Sequence, residues 1–242
     1  MDSNHKTYNY ISSFSRIDDI LALPSGNYEE VNELPDRDRL TYTNGFYAKC
    51  SAVFVDIRKS SSLPDKYKRP KLAKLYRAYI SEMVAIMNGS EQAREINIVG
   101  DGVWAVFNTP YKSNIDEVFS VIAQCNSLVK VLNHKLGKAG YSEPISVGIG
   151  AAYGRALMIK AGYSGSGISD VVYMGDVVNR AAKLAAKGSS GFLVPPIMLD
   201  GDFQFNLNEE NKKMTEKNWN YDCHTANVVN TLMEQWYKDN CK

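Results

Sequence analysis

Residues 96–107 constrain the fold of this chain more than any other stretch, because two apolar runs surround Gly100-Asp101-Gly102. An Asp-Gly pair between apolar, β-forming runs is a strong local signal for a β-hairpin. The sequence therefore predicts two paired strands whose tight turn carries one carboxylate, that of Asp101.

A second carboxylate, Asp56, follows an apolar run over residues 46–57 that reads as a buried core strand. Two buried strands that each bring an aspartate to one place are typical of a two-metal site for phosphate chemistry. The pair Asp56 and Asp101 is therefore the candidate centre of the site.

Composition excludes several other classes of protein. A formal net charge of +1 over 242 residues argues against nucleic-acid or membrane-surface binding driven by bulk charge. The four cysteines are widely spaced and form no CxxC pair, so neither a disulfide framework nor a zinc site is indicated. We find no signal peptide and no long apolar run, and these features predict a cytoplasmic protein.

The order of elements predicts an α+β fold of the ferredoxin-like, βαββαβ type with added strands. Apolar residues recur at helical spacing over 71–87 and 115–136, with a further short helix over 176–186. Besides the core strand and the hairpin, we predict strands over 144–152, 156–161, 168–174 and 191–194.

Three segments follow from this order. Residues 1–45 are polar and read as an irregular N-terminal arm, 46–198 as the catalytic domain, and 199–242 as a C-terminal cap.

Three sequence blocks resemble the class III nucleotidyl cyclase domain. They are residues 54–58, residues 98–103, and the region from Gly148 to Leu184 that ends in 173–184. One block alone would be a weak signal, but three in this order at compatible spacing are specific.

The resemblance implies a homodimer with active sites at the subunit interface and a nucleoside triphosphate substrate. Asp56, Asp101 and the carbonyl of Ile57 would bind two Mn²⁺ or Mg²⁺ ions, for which oxygen ligands are suited. The ribose 3′-hydroxyl would attack the α-phosphorus, giving a 3′,5′-cyclic nucleotide and pyrophosphate. Backbone N–H groups of Arg58, Ser60 and Ser61, at a helix start, would hold the outer phosphates.

The resemblance also implies that the partner subunit supplies Asn179 for the ribose and Lys183 for the α-phosphate. These residues lie at i and i+4 and therefore share one helix face. The family usually has arginine at the second position, so lysine keeps the charge but loses the planar fork. Arg180 is the neighbouring cation that could serve instead.

The base-reading positions differ from those of the purine cyclases. Asn97 stands where adenylate cyclases have lysine, and Val172 where they have aspartate or threonine. A purine facing Val172 would bury unpaired polar groups, at about 1–3 kcal/mol each. The donor and acceptor of Asn97 match the edge of uracil, or of cytosine after an amide flip, so Asn97 does not choose between them. Asp170, on the same strand face as Val172, is an alternative acceptor.

This combination resembles the pyrimidine cyclases of the bacterial anti-phage system called Pycsar, notably over residues 43–47 and 56–61. The resemblance implies conversion of UTP to cyclic UMP, or of CTP to cyclic CMP, which activates a separate effector protein. Phe46 and Tyr47 are candidates for stacking on the base, although core packing is the simpler explanation for both.

Two other functions fit the same residues. One is an unusual adenylate or guanylate cyclase in which Asp170 reads the base. The other is a catalytically silent nucleotide-binding or dimerisation module, for which Lys183 in place of arginine is the main support.

Overall fold

The computed structural model describes residues 2–241, and the N-terminal segment is more ordered than the sequence predicted. Helix α1 (Tyr10–Leu21) begins where the Asn9 side chain accepts a hydrogen bond from the N–H of Ser12. The prediction of an irregular arm was wrong here, since apolar residues at helical spacing lie within this polar segment. Strand β1 (Tyr28–Glu30) then pairs in parallel with the start of β2 (Gly45–Ile57).

The remaining elements build one mixed sheet covered by helices. In chain order they are α2 (Leu63–Lys66), α3 (Arg69–Asn88), β3 (Ala93–Val99), β4 (Gly102–Asn108), α4 (Lys112–Lys138), β5 (Val147–Tyr163), β6 (Ile168–Met174), α5 (Asp176–Ala185), β7 (Ile197–Leu199), α6 (Gly201–Asn206), α7 (Glu209–Lys213), β8 (Glu216–Asn218), β9 (Cys223–Ala226) and α8 (Thr231–Asn240). The sheet order is β3-β4-β2-β5-β7-β9-β8, with β1 on β2 and β6 on β5. This architecture confirms the predicted α+β class.

The two faces of the sheet are covered differently. The apolar stripes of α3 and α4 pack on one face and form the larger core with the inward side chains of β2 and β4. Helix α5 and the segment 31–40 cover part of the other face, where Leu34, Leu40 and Tyr173 are buried. Phe54 and Trp104 are only partly buried on that second face, so it stays partly open beside the hairpin.

Two strand predictions were wrong. Residues 144–152 and 156–161 do not form separate strands, because β5 continues through both and pairs with β2 along the whole of β2. The predicted strand over 191–194 is a turn in which Phe192 and Leu193 are fully solvent-exposed. The strand instead follows the two prolines as β7, whose residues are buried between β5 and β9.

The C-terminal segment contributes to the sheet itself, since β9 and β8 extend it beyond β7. Helix α8 packs on α4, where Lys130 forms an ion pair with Glu234 at 2.7 Å. The boundaries 46–198 and 199–242 stay a prediction. Among residues 2–241, no helix is both long enough and apolar enough to cross a lipid bilayer.

Helix α5 lies directly on the backbone of β5, and glycine makes this close approach possible. A Cβ atom at Gly150 would lie 2.1 Å from the carbonyl oxygen of Ala181 and 2.2 Å from the nitrogen of Ala185. Both are backbone atoms, so the contact can be relieved only by moving the helix.

Gly150→Ala should therefore lower the free energy of unfolding by about 3 kcal/mol, the upper end for added volume in a packed core. Gly26→Ala is the matched control, because nothing lies within 4 Å of the added Cβ; its effect should stay within about 0.5 kcal/mol. Denaturant unfolding measures both, and equal stabilities of the two variants would contradict this packing.

Candidate active site

Asp56 and Asp101 lie side by side at one end of the sheet. Asp56 is the penultimate residue of β2, and Asp101 is the second residue of the two-residue loop that joins β3 to β4. Gly100, the first loop residue, has φ +63°, which glycine adopts without strain. Gly102 leaves the space beside Asp56 open, because it carries no side chain. A Cβ atom at this position would lie 3.5 Å from Oδ1 of Asp56.

The two carboxylates repel each other. Burial raises the pKa of Asp56, the neighbouring Asp101 raises it further, and Arg58 lowers it in part. Oδ2 of Asp101 is buried without a hydrogen-bond partner. Two adjacent acceptors with surplus negative charge fit a hard divalent cation. Within residues 2–241 no cluster of three histidine, cysteine or acidic side chains is found.

Arg58 ties the end of β2 to the end of α5. Its guanidinium forms an ion pair with Asp56 and donates a hydrogen bond to the carbonyl of Ala186 at 2.9 Å. Its backbone N–H is already donated to the carbonyl of Ser146 at 2.8 Å, so it is not free for a phosphate.

Ser60 and Ser61 open the short 3₁₀ turn that leads into α2, after Lys59 with φ 54°. The first N–H groups of a helical turn have no partner within it, so those of Ser60 and Ser61 remain available for phosphate oxygens. Ile57, whose carbonyl is the third predicted metal ligand, ends β2 directly after Asp56, with its side chain in the core.

Tyr76 and Tyr79 of α3 lie beneath the carboxylates, and sequence reasoning assigned both only to the core. Tyr79 is fully buried and its hydroxyl lacks a hydrogen-bond partner among the described residues. Burial raises the pKa of Tyr79, and the charge of Asp56 raises it further. The one sequence signal for these two residues was that tyrosine, which carries a hydroxyl group, stands in an apolar stripe that phenylalanine would fill equally well.

Asn179 and Lys183 are exposed on α5. Neither side chain has a hydrogen bond or an ion pair within residues 2–241. Arg180 is occupied instead: its Nη1 lies 3.1 Å from Asp200 Oδ2, and its Nη2 donates to the carbonyl of Tyr153 at 3.2 Å. Arg180 therefore anchors α5, whereas Asn179 and Lys183 are free to act on a ligand.

Asn97 and Val172 lie on β3 and β6, both partly accessible. Asn97 is half-buried opposite Trp104, whose ring stacks on Phe54 with 5.1 Å between centroids. Val172 is 38% exposed. Asp170, the alternative acceptor, is engaged by Arg37.

The two candidate stacking residues are covered by arginines. Phe46 is 4% exposed, and the guanidinium of Arg39 lies 4.7 Å from its ring centroid. Tyr47 is half-buried beneath the guanidinium of Arg155, 4.2 Å from its ring. Both rings contribute to packing in this structure, and their predicted role in stacking on a base stays a prediction.

Asp200 supports α5 through Arg180 and was missed by sequence reasoning, because no local pattern links it to that helix. Its Oδ1 accepts hydrogen bonds from the N–H groups of Phe203 and Tyr153, at 2.7 and 3.2 Å. Burial nevertheless raises its pKa to about 6, because these hydrogen bonds and the charge of Arg180 only partly offset the loss of hydration.

This shift predicts a pH dependence of stability. The folded protein holds the Asp200 proton more tightly than the unfolded chain, so the free energy of unfolding falls as pH rises from about 4 to about 6. The Asp200→Asn variant should not show this fall in the free energy of unfolding. From pH 4 to pH 7 its free energy of unfolding should therefore rise relative to that of the wild type by on the order of 2 kcal/mol.

Denaturant unfolding at the two pH values measures the change. Asp202→Asn is the matched control, since it removes an exposed carboxylate beside the same arginine. This control should keep the wild-type dependence of the free energy of unfolding on pH. If Asp200→Asn keeps the same dependence, the raised pKa does not belong to Asp200.

Comparison with known proteins places this geometry in a family. The model of the adenylate and guanylate cyclase catalytic domain matches residues 43–227. A uridylate cyclase from Gulbenkiania mobilis is 41% identical over 99% of this chain and 100% of its own length. A uridylate cyclase from Treponema porcinum is 38% identical over 89% of this chain and 77% of its own.

Among solved structures, the adenylyl cyclase CyaB from P. aeruginosa shares the fold. It has a TM-score of 0.62 and 21% identity, with 72% of this chain and 85% of CyaB covered. The resemblance inferred from the three sequence blocks is thereby confirmed. The chain belongs to the adenylate and guanylate cyclase catalytic domain family, the class III nucleotide cyclases.

Proposed function

We propose that this protein converts UTP to 3′,5′-cyclic UMP and pyrophosphate. The observation that carries the proposal is the combination of an intact carboxylate pair, Asp56 and Asp101, with Asn97 and Val172 at the base-reading positions. Two relatives named uridylate cyclase, at 41% and 38% identity over most of the chain, support the same substrate. CTP is the second candidate, because the amide of Asn97 can present either donor or acceptor.

The carboxylate pair fits divalent metal ions. Asp56, Asp101 and the carbonyl of Ile57 would hold two Mn²⁺ or Mg²⁺ ions, and the buried, unpartnered Oδ2 of Asp101 supports this assignment. When bound, such ions neutralise triphosphate charge and lower the pKa of the ribose 3′-hydroxyl. Arg58 holds Asp56 in place, and the N–H groups of Ser60 and Ser61 bind the outer phosphates.

Two copies of the chain form each site in this proposal. Asn179 of the partner orients the ribose and Lys183 of the partner compensates charge on the α-phosphate, which explains why both are exposed and unpaired among residues 2–241 of their own chain. Arg180 is held by Asp200, Asp202 and Tyr153, so Lys183 is the better candidate for this charge.

The biological role follows from the resemblance to the Pycsar cyclases. In this proposal cyclic UMP is a second messenger for defence against phages, and it activates a separate effector protein. A cytoplasmic location, where UTP is available, is part of the same proposal.

A nucleotide panel tests the reaction. The purified protein with Mn²⁺ and each of UTP, CTP, ATP and GTP should give cyclic UMP as the main product by mass spectrometry, at a kcat/KM at least about 10-fold above that for either purine, because an unpaired purine polar group costs 1–3 kcal/mol. Formation of cyclic AMP or cyclic GMP alone would contradict the substrate. Nucleotide binding without pyrophosphate release would identify a silent module.

Metal binding can be tested without turnover. Asp101→Asn removes one of two repelling carboxylates, so without metal its unfolding temperature should equal or exceed that of wild type; the gain is about 1 kcal/mol or less, because the Asp56 side chain is 43% exposed and water screens the repulsion. Mn²⁺ should stabilise the wild type and leave the variant unchanged.

Differential scanning calorimetry with and without Mn²⁺ gives both results. The control is Asp116→Asn, because the Asp116 carboxylate lies on α4, where it accepts a hydrogen bond from Asn211. This variant should keep the response to Mn²⁺. Equal stabilisation of Asp101→Asn by the metal would rule out Asp101 as a ligand.

A further inference from the structure

Arg37, in the segment before β2, joins two strands of the base-reading region. Its Nη1 lies 2.9 Å from Glu95 Oε1 on β3, and its Nη2 lies 2.5 Å from Asp170 Oδ1 on β6. Glu95 precedes Asn97 by two residues, and Asp170 precedes Val172 by two.

Side chains two residues apart in a strand point to the same face and are separated by about 6.6 Å. Glu95 and Asn97 therefore share one face of β3, and Asp170 and Val172 share one face of β6. Arg37 contacts the two carboxylates that precede the base-reading positions by one such step, so it lies at that end of the region.

The two carboxylates fix the guanidinium in place. Glu95 is 8% exposed, and its Oε2 is buried without a hydrogen-bond partner, so it has unused capacity toward a ligand N–H or a water. The Arg37 side chain is 52% exposed, so part of its N–H edge remains open to a ligand.

A guanidinium can only donate hydrogen bonds, and its role cannot be reversed. Uracil carries an acceptor, O4, at the position where cytosine carries an amino group, which donates. Asn97 accommodates either base by flipping its amide, whereas a fixed arginine accommodates only the acceptor. A fixed arginine beside Asn97 can therefore decide between uracil and cytosine, which Asn97 alone does not distinguish.

We propose that Arg37 is a specificity-determining residue that donates a hydrogen bond to O4 of uracil and disfavours the amino group of cytosine. Glu95 and Asp170 act as positioning residues that hold its guanidinium. This inference rests on the proposed function, and it assigns a role in substrate choice to a segment that precedes the first core strand.

The test compares kcat/KM for UTP and CTP in the full-length protein with Mn²⁺. Arg37→Gln should lower the value for UTP by about 10- to 100-fold, the range for loss of a charge-assisted hydrogen bond. The value for CTP should change less than about 3-fold, because glutamine can present either donor or acceptor to the base. The ratio of kcat/KM for UTP to kcat/KM for CTP should therefore fall.

Two further variants separate base reading from general damage. Arg39→Gln alters the same short 3₁₀ helix, Arg37–Arg39, where the Arg39 guanidinium lies over the Phe46 ring, and it should keep the UTP preference. Arg37→Lys keeps a donor-only cation but loses the planar fork, so it should keep the preference at a reduced kcat/KM.

The outcomes distinguish this inference from the proposed function. A wild-type enzyme that forms cyclic UMP while Arg37→Gln keeps the UTP-to-CTP ratio overturns the role of Arg37 alone. A wild type that uses UTP and CTP equally, or an Arg37→Lys variant that loses the preference, overturns it as well. A wild type that does not cyclise UTP overturns the proposed function itself.

Discussion

The site depends on one unfavourable interaction, the repulsion between the carboxylates of Asp56 and Asp101. A strand end and a two-residue hairpin turn hold the two side chains together, and the pairing of β2 with β4 leaves neither free to move away. Burial adds to the cost by raising the pKa of Asp56. A fold keeps such a pair when something outside the chain compensates the charge, and the proposed divalent cation would do so.

Helix α5 follows from the same sheet. Because Gly148 and Gly150 carry no side chains, the helix rests on the backbone of β5, with Ala181 and Ala185 against the strand. This contact turns the neighbouring positions Asn179 and Lys183 outward, where no described residue of their own chain pairs with them. In the proposed dimer the hairpin would supply half of a site and α5 the complementary half, an arrangement that two-fold symmetry can complete.

The carboxylate pair and the main helices could be predicted from the sequence because their signals are local. An Asp between glycines at a hairpin and an apolar run that ends in Asp56 place both residues within a few positions of the feature that fixes them. The helical stripes of α3 and α4 are equally local. The prediction divided β5 at residues 153–155, although β5 is one long strand that pairs with the whole of β2.

The remaining features depend on contacts between residues distant in sequence, which no local pattern reports. Arg37 lies 58 positions from Glu95 and 133 from Asp170. Its place in a mixed-charge run predicts only a solvated surface. Arg180 and Asp200 are likewise joined across separate elements. Substrate choice and the anchoring of α5 are therefore carried by side-chain pairs that become visible only once the sheet is assembled.

In the proposed dimer each active site takes its carboxylates from one subunit and Asn179 and Lys183 from the other. Complementation between two inactive variants measures this directly: Asp101→Asn and Lys183→Ala are each assayed alone, then co-expressed at equal levels and purified together. Random pairing makes half of the dimers mixed, each with one intact site, so about one quarter of wild-type cyclase activity should return. Activity that stays at the level of the single variants would contradict the shared site.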